Sequence, residues 1–228
     1  MGKRIIQQRR GRGTLTYRAR GKTFPLSYPD MEGEAKVLKL IHASGYNCPI
    51  AKLQLDGKIF YNIAVRGLVE GQTICVGKGI EKGNILPLKE IPTGTFVCNI
   101  EIIPKKGGRL VRTAGGSARI GKKTAKGIII LLPSKKEKLL PEKARATIGI
   151  VASGGIKEKP FMKAGKKYYA KRAKNKLWPR TSAVKMNIVD HPFGSGRGKR
   201  IKSKIAKRNA PPGRKVGLLR PKRTGKRK

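Results

Sequence analysis

The amino-acid sequence predicts a mainly β protein with two small β-barrels, flanked at both ends by long, basic and mostly irregular extensions. The first observation is charge, because the 228 residues contain 55 Lys and Arg against 12 Asp and Glu, a net charge of +43. The charge is concentrated at the ends: residues 1–22 hold 8 basic and no acidic residues, residues 166–228 hold 23 and 1, and residues 23–165 hold 24 and 11. The second observation is composition, since 29 Gly, 14 Pro and 5% aromatic residues favour turn-rich β structure with aliphatic cores.

Residues 1–29 are predicted to form a basic, extended N-terminal arm. Gly11, Gly13 and Gly21 each disfavour a helix, because glycine is among the residues least favourable to helix formation. A segment of this composition cannot bury enough apolar surface to fold alone, so we expect it to lie on a partner.

The first barrel is predicted in residues 30–82. Val37, Leu38, Leu40 and Ile41 form a short apolar run, and residues 51–55 alternate between apolar and polar, as in a half-buried strand. Asp56-Gly57 is a strong hairpin signal, because both positions of a two-residue turn require positive φ. A further short strand is predicted at residues 73–76. On the strand that returns from the hairpin, we expect one face to be formed by Ile59, Tyr61, Ile63 and Val65.

The second barrel is predicted in residues 83–160. A long strand at residues 95–103 has apolar residues on both faces. The other predicted strands, separated by Gly, Pro and polar turns, cover residues 109–113, 127–132, 139–140 and 145–151. Strong helical periodicity is absent from residues 36–155. Closed barrels are predicted because closure leaves no sheet edge exposed.

The C-terminal extension covers residues 161–228. Residues 166–178 are predicted to contain a short basic helix. From residue 199 onward there are 14 basic residues and no acid, so we expect an extended tail that becomes ordered on its partner. So basic a chain favours a nucleic-acid partner over an ordinary enzyme surface, because each neutralised phosphate releases counterions.

Residues 116–123 nearly match the phosphate-binding motif G-x-x-x-x-G-K-[ST]. Lys123 stands where the motif needs the hydroxyl that ligates magnesium, and a strand rather than a helix is predicted to follow. We therefore expect no nucleotide hydrolysis. The segment is interpreted as a Gly-rich basic loop in which Arg119, Lys122 and Lys123 approach phosphates.

No metal centre, disulfide framework or other cofactor is expected. Cys48, Cys75 and Cys98 are widely spaced and there are two histidines, whereas zinc needs about four ligands at paired spacings. The cysteines are interpreted as small core residues and His42 as a strand-end residue. No apolar run reaches the roughly 20 residues of a transmembrane helix. The N-terminus MGKRIIQQRR lacks the apolar stretch of a secretory signal, so we expect a reducing, cytoplasmic location.

Residues 187–194 are predicted to form a tight loop that bends against RNA. Asp190 and His191 are adjacent, with Ser182 and Ser195 nearby, but a catalytic triad needs three groups that converge from different directions. The aromatic residues of the extension leave two interpretations open, stacking on unpaired bases or anchoring of the extension. They are Tyr168, Tyr169, Trp178 and Phe193.

Four stretches of this sequence match known patterns. They are MGKRIIQQRRGRG at residues 1–13, GNILPLKEIPTGTFVCNIE at 83–101 with KKGGRLVRTAGGSA at 105–118, RATIGIV at 145–151 with EKPFMKAGKKY at 158–168, and MNIVDHPFG at 186–194 with PPGRKVGL at 211–218. Together they resemble the universal large-ribosomal-subunit protein two family, in its archaeal and eukaryotic branch, over essentially the full length. The chain departs from the family pattern before the Asp190-His191 pair at Ser182-Ala183, Lys185 and Ile188, and after it at Ser195.

The resemblance implies an oligonucleotide-binding-type barrel followed by an SH3-like barrel, with the extensions threaded through large-subunit ribosomal RNA. It also implies a structural role in subunit assembly, in subunit association and in support of the peptidyl transferase region. The implied partners are this RNA, neighbouring ribosomal proteins and a small-subunit contact, with no membrane and no homo-oligomer. Magnesium ions would be held by the RNA, and the location would be the cytoplasmic ribosome.

The family's RNA-contacting arginine falls on Arg145 and its loop histidine on His191, which would lie with Asp190 near the peptidyl transferase region. The RNA is expected to carry out peptidyl transfer. The full set of expected RNA contacts comprises Arg9, Arg10, Arg12, Arg109, Arg112, Arg119, Lys122, Lys123, Arg145, Trp178, Arg180, His191, Lys199, Arg200, Arg214 and Lys215.

Two other functions are compatible with parts of the sequence. An architectural DNA-compacting protein would have a similar charge, although sequence-blind wrapping uses repeated Arg insertion rather than small barrels. Catalysis of peptide-bond formation by His191 is the other, because an imidazole can transfer protons near neutral pH. Competition between DNA and structured RNA tests the first, and substitution of His191 tests the second.

Overall fold

One ten-stranded β-sheet dominates the computed structural model, which describes residues 2–18, 21, 23–196, 205–206 and 208–219. The chain divides into two compact units, one formed by residues 21–160 and the other by residues 1–20 with 161–228. The ten strands lie in the first unit, so the mainly β prediction is confirmed. Because they form one continuous sheet, the division into two barrels of named type stays a prediction.

The strands of this sheet are short, and most neighbours are antiparallel. In spatial order they run β3-β2-β1-β4-β5-β10-β6-β7-β8-β9. Their bounds are β1 Gly33–Ile41, β2 Ile50–Leu55, β3 Lys58–Ile63, β4 Thr73–Val76, β5 Ile85–Pro87, β6 Phe96–Cys98, β7 Ala118–Thr124, β8 Gly127–Leu131, β9 Glu137–Leu140 and β10 Arg145–Ile148. The β4–β5 pair is parallel and is made by a single residue pair, Val76 with Ile85.

The predicted hairpin between β2 and β3 is confirmed, with φ of 46° at Asp56 and 77° at Gly57. Ile59, Tyr61 and Ile63 share one face of β3, as predicted. Ile59 on that face is 50% exposed, whereas Phe60 and Asn62 on the opposite face are buried. A two-residue turn pairs residue 55 with residue 58, so odd-numbered residues of β2 share a face with even-numbered residues of β3. Leu53 of β2 accordingly lies opposite Phe60.

The predicted long strand at residues 95–103 is wrong in length. β6 ends at Cys98, because Asn99 adopts φ of 48°, which a strand cannot continue through. The strand predicted at residues 109–113 is reduced to one bridge between Ile100 and Leu110, and Val111 also has positive φ. The strands predicted around residues 127–132, 139–140 and 145–151 form as β8, β9 and β10.

Two aliphatic cores underlie the sheet. The core beneath β1–β4 includes Val37, Leu53 and Ile74, and the core beneath β5–β10 includes Val97 and Ile130. Both are built almost entirely from Ile, Leu, Val and Ala, as the low aromatic content predicts. Fully burying each such large side chain contributes about 1.5–3 kcal/mol to folding.

All three cysteines are free thiols. Cys48 and Cys98 are buried together in a third, smaller apolar cluster, as predicted, whereas Cys75 on β4 is only half-buried. Burial raises the pKa of the Cys98 thiol to about 12. His42 directly follows the last residue of β1, as predicted.

The second unit contains a helix that was not predicted. α1 covers Ile6–Arg12, so the expectation of an extended arm is wrong there. The Gln8 side chain accepts a hydrogen bond of 3.1 Å from the backbone N–H of Ile5, which satisfies a donor at the start of the helix. Gly13 ends the helix with φ of 72°. This glycine therefore terminates a helix, rather than preventing one from forming.

The rest of the second unit has little regular structure. α2 covers Ala164–Arg172. It begins just before the segment predicted to contain a helix, residues 166–178, and overlaps the first part of that segment. A short parallel pair joins β11 (Ile205–Ala206) to β12 (Leu218–Leu219). Short 3₁₀ helices occur at Gly154–Lys157 in the first unit and at Ala183–Lys185 in the second. Among the described residues, no helix is long and apolar enough to cross a membrane.

Candidate nucleic-acid interface

The segment predicted as a basic loop around residues 116–123 is mostly the strand β7, so that interpretation is corrected. β7 pairs with β6 and β8, and its register with β8 is irregular between Ile120 and Lys123. A Cβ on Gly121 would approach the carbonyl oxygen of Ile129 to 2.9 Å. The glycine therefore permits close contact between β7 and β8. A nucleotide-binding loop is followed by a helix, whereas this segment is followed by the strand β8.

β7 carries three of the predicted cations on its exposed positions. The Arg119 Nε donates to the carbonyl oxygen of Gly94 at 3.1 Å, and its guanidinium lies 6.0 Å from the ring of the half-exposed Phe96. The Lys123 Nζ donates to the carbonyl oxygen of Lys89 at 2.6 Å. Lys122, between them, is exposed. These contacts hold two of the cations against the protein while leaving them accessible to a polyanion.

Arg145 at the start of β10 is placed differently from the β7 cations. Its side chain is 16% exposed and forms a salt bridge of 3.2 Å with Glu101, which is fully buried. The guanidinium also donates to the carbonyl oxygen of Pro29 and lies 5.4 Å from the ring of Tyr28. Most of its hydrogen-bonding capacity is therefore used inside the protein.

The buried carboxylate of Glu101 is a feature that the sequence reasoning missed. It accepts hydrogen bonds of 3.0 Å from the backbone N–H groups of Gly107 and Arg145, in addition to those from the Arg145 side chain. A buried charge needs such compensation. Glu101 thereby fixes the loop between residues 101 and 109 at its start and near its end.

A network of buried polar side chains lies beside the pair of Arg145 and Glu101. The Tyr28 hydroxyl donates to the carbonyl oxygen of Asn99 at 2.5 Å and lies 2.8 Å from the Thr147 Oγ1. Asn62 donates to the same Thr147 oxygen at 3.0 Å and accepts from the Asn99 side chain at 2.8 Å. Burial raises the pKa of the Tyr28 hydroxyl well above its usual value. The network joins β3, the end of β6, β10 and the segment before β1, and no periodic pattern in the sequence predicts it.

The two remaining arginines that were predicted as RNA contacts in this unit differ in exposure. Arg112 is half-buried, where it donates to the carbonyl oxygen of Gly108 at 2.9 Å and lies 5.8 Å from the Tyr46 ring. Arg109 is exposed on the loop that Glu101 fixes. The six cations predicted on this unit thus divide into exposed ones and ones that brace loops.

The predicted loop around His191 is confirmed as a series of tight turns in the second unit. Asn187 accepts at its carbonyl oxygen from the backbone N–H groups of Asp190 and His191. The N–H of Phe193 donates to His191 Nδ1 at 3.1 Å, which requires that nitrogen to be unprotonated. Burial lowers the pKa of His191.

Asp190 turns away from a triad arrangement. Its carboxylate lies 3.7 Å from the Lys3 Nζ, and the backbone N–H of Lys3 donates to the carbonyl oxygen of Val189 at 2.7 Å. A Cβ on Gly2 would meet the same oxygen at 3.1 Å. The N-terminal residues therefore support this loop, and Asp190 does not orient the imidazole.

The second unit also brings together cations that are distant in sequence. Arg10 of α1 and Arg180 line one cleft of about 660 Å³. The Lys167 Nζ lies 5.1 Å from the ring of Trp178. The other predicted contacts are spread out: Arg9 and Arg12 are exposed on α1, Arg214 and Lys215 occupy a turn, and Lys199 and Arg200 lie outside the described residues.

Metal ligands do not cluster anywhere in the part of the chain that the structure describes, which contains no group of three or more His, Cys, Asp or Glu side chains suited to hold an ion. The chemistry that the described side chains offer is cationic and aromatic. Such groups bind phosphates and stack on bases, and need no reacting centre.

The chain is similar to known proteins over its whole length. The family model described as Ribosomal Proteins L2, C-terminal domain, matches residues 81–213. The large ribosomal subunit protein uL2 of Archaeoglobus fulgidus is 45% identical, with 100% of both chains covered. The proteins of the same name from Korarchaeum cryptofilum and Metallosphaera sedula are 46% and 43% identical, covering 100% of this chain and 97% and 99% of theirs.

Proposed function

Because this chain belongs to the ribosomal protein uL2 family, in its archaeal type, we propose that it is a structural component of the large ribosomal subunit that binds large-subunit rRNA during translation. The observation that carries this proposal is the full-length identity of 41–46% to archaeal proteins named as large ribosomal subunit protein uL2. In this role the protein supports subunit assembly, subunit association and the peptidyl transferase region, in the cytoplasmic ribosome.

The same membership supports a finer description of the fold. We propose that β1–β4 form an oligonucleotide-binding-type barrel, within residues 30–82, and β5–β10 an SH3-like barrel, within residues 83–160. Two features favour a division there: the two largest aliphatic cores lie mainly in different halves, with Ile85 of β5 packed in the first, and the sheet continues between the halves through the single pair of Val76 with Ile85.

Exposed cations form the proposed RNA contacts. In the first unit these are Arg109 on its loop and Arg119, Lys122 and Lys123 on β7, and the second unit adds the arginines of α1. The half-buried Arg112 and Arg145 act differently, by holding the loops that present those cations. Neighbouring ribosomal proteins and the small subunit are further partners, and magnesium ions at the interface belong to the RNA. The chain acts without a homo-oligomer, a membrane or a cofactor of its own.

Peptidyl transfer is assigned to the RNA rather than to this protein. His191 uses Nδ1 to accept a backbone hydrogen bond within its own loop, and the neighbouring carboxylate of Asp190 pairs with Lys3. We assign the pair a supporting position near the peptidyl transferase region. His191→Ala is expected to lower activity modestly in fully assembled subunits; total loss of peptide-bond formation with tRNA placement intact would overturn this assignment.

A salt titration tests the RNA-binding proposal. The full chain is titrated with a large-subunit rRNA fragment between 50 and 200 mM salt, with duplex DNA as competitor. For about six to ten neutralised phosphates, affinity is expected to fall by a factor of about 10³–10⁵ over this range. A flat salt dependence, or equal competition by duplex DNA, would refute the proposal. In cells, the protein is expected in large-subunit fractions with crosslinks to rRNA, and crosslinks to chromosomal DNA would favour the architectural function instead.

A further inference from the structure

A cleft of about 660 Å³ opens within the unit formed by residues 1–20 and 161–228, between α1 and the chain that follows α2. Its volume lies within the range of small-molecule sites, about 300–1,000 Å³. The residues that give the cleft its chemistry are Arg10, Tyr17, Lys174, Lys176, Leu177 and Arg180. Arg10 and Arg180 were predicted RNA contacts, but the convergence with Tyr17 and Leu177 was not predicted.

Local turns build the two walls. Gly13 ends α1, and the backbone N–H groups of Tyr17 and Arg18 then donate to the carbonyl oxygen of Thr14 at 2.8 and 3.0 Å. Opposite, Asn175 has φ of 50° and its side-chain amide donates to the carbonyl oxygen of Arg18 at 2.7 Å. This hydrogen bond joins the Tyr17 turn to the other wall of the cleft.

The cleft is cationic without an acidic residue in its lining. Residues 1–20 and 161–228 contain 31 Lys and Arg and a single acid, Asp190, which pairs with Lys3. Four cations on one concave surface repel each other, and an anion bound among them relieves that repulsion. Tyr17, half-buried, adds a flat aromatic surface, and Leu177 adds an apolar one.

We propose that this cleft binds one unstacked nucleotide of large-subunit rRNA, with its base on Tyr17 and Leu177 and its phosphates on the surrounding cations. An RNA duplex cannot enter a concave site of this size, whereas an extruded base can enter it and stack on an aromatic ring. The inference rests on the proposed function, because it specifies which form of rRNA this part of the protein recognises.

The test uses the full chain bound to a large-subunit rRNA fragment, with base accessibility probed chemically at single-nucleotide resolution. Tyr17→Leu removes the aromatic face and is expected to weaken binding roughly tenfold and to abolish protection of one unpaired nucleotide. Tyr17→Phe keeps the ring and is expected to behave as the wild type. In the wild-type complex, ultraviolet light is expected to crosslink Tyr17 to that same nucleotide.

Two further variants, each lacking one positive charge, control for a folding defect in Tyr17→Leu. Arg180→Gln and Arg172→Gln each remove one exposed cation from the same unit, but only Arg180 lines the cleft. Arg180→Gln should lose the same single protection, whereas Arg172→Gln should retain it. Retained protection in both Tyr17→Leu and Arg180→Gln, or uniform weakening without loss of a particular nucleotide, overturns the inference and leaves the proposed function intact. Absence of binding by the wild-type chain overturns both.

Discussion

Replacing Arg145 with methionine tests whether this residue stabilises the fold or serves mainly as an RNA contact. Methionine keeps most of the aliphatic stem and removes the guanidinium that faces Glu101, Tyr28 and the carbonyl oxygen of Pro29. The carboxylate of Glu101 would then be a fully buried charge without a cationic partner. The variant therefore measures what the buried ion pair contributes to the free energy of unfolding.

The expected magnitude follows from the surroundings of Glu101. Removing one partner of a buried ion pair costs about 3–5 kcal/mol. Two backbone N–H groups still donate to this carboxylate at 3.0 Å each, which favours the lower end, about 3 kcal/mol. At about 2–4 °C per kcal/mol for a domain of this size, the midpoint of thermal unfolding should fall by about 6–12 °C.

The assay is urea and thermal unfolding of the full chain, with two matched variants. Arg119→Met removes an exposed guanidinium that also has a carbonyl and a ring contact, and should cost under about 1 kcal/mol. Adding Glu101→Gln to Arg145→Met removes the stranded charge and should restore at least about 1 kcal/mol.

One result would refute this reasoning. If Arg145→Met is no more destabilising than Arg119→Met, the pair with Glu101 does not hold the fold. If in addition the slope of RNA affinity against salt falls by about 1, Arg145 is a phosphate contact, as the family resemblance first implied. The two roles are therefore separated by measuring unfolding and RNA binding on the same variants.

Three further predictions concern the loops and the core. Gly108→Ala would place a Cβ 2.1 Å from the carbonyl oxygen of Asn99 and should cost more than about 2 kcal/mol of unfolding free energy, whereas Gly155→Ala, with open space around it, should stay within about 0.5 kcal/mol. Burial lowers the pKa of His191, so the imidazole binds fewer protons in the folded state than in the unfolded state. Its contribution to stability is therefore present at neutral pH and is lost as the pH falls below 6.5. An NMR titration midpoint of His191 at or above 6.5 would contradict this. Cys98, whose pKa burial raises to about 12, should resist alkylation at pH 8 until the protein unfolds, as followed by mass spectrometry with and without urea.

The short-range patterns of the sequence predicted much of the sheet. Asp56-Gly57 located the hairpin because its turn conformation depends on two adjacent residues. The burial of Phe60 was not predicted, although the same turn determines it: pairing of residue 55 with residue 58 places Phe60, not Ile59, opposite Leu53. Alternation alone does not indicate that Asn62 is buried on the same face, because its hydrogen-bond partners Thr147 and Asn99 are distant in sequence.

Other features could not be predicted because their causes are distant in sequence. Asn99 ends β6 in a conformation that suits Asn, but its side chain is held by Asn62, 37 residues away. The burial of Glu101 depends on Arg145, 44 residues away. The cleft of the second unit likewise needs the contact between Asn175 and Arg18, which are 157 residues apart. The cations themselves were visible in the sequence, but which of them brace loops and which remain exposed was not.

The burial of Tyr28 also sets an order of events during synthesis of the chain. Its hydroxyl partner Thr147 is made 119 residues later, which at about 5–20 residues per second corresponds to about 6–24 s. The Tyr28 ring can pack against the core beneath β1–β4 before then, because every other buried residue of that core precedes residue 86. The hydrogen-bond network of its hydroxyl, however, is completed only after β10 has been made, and a chain that stops before residue 147 lacks that link between the segment before β1 and β10.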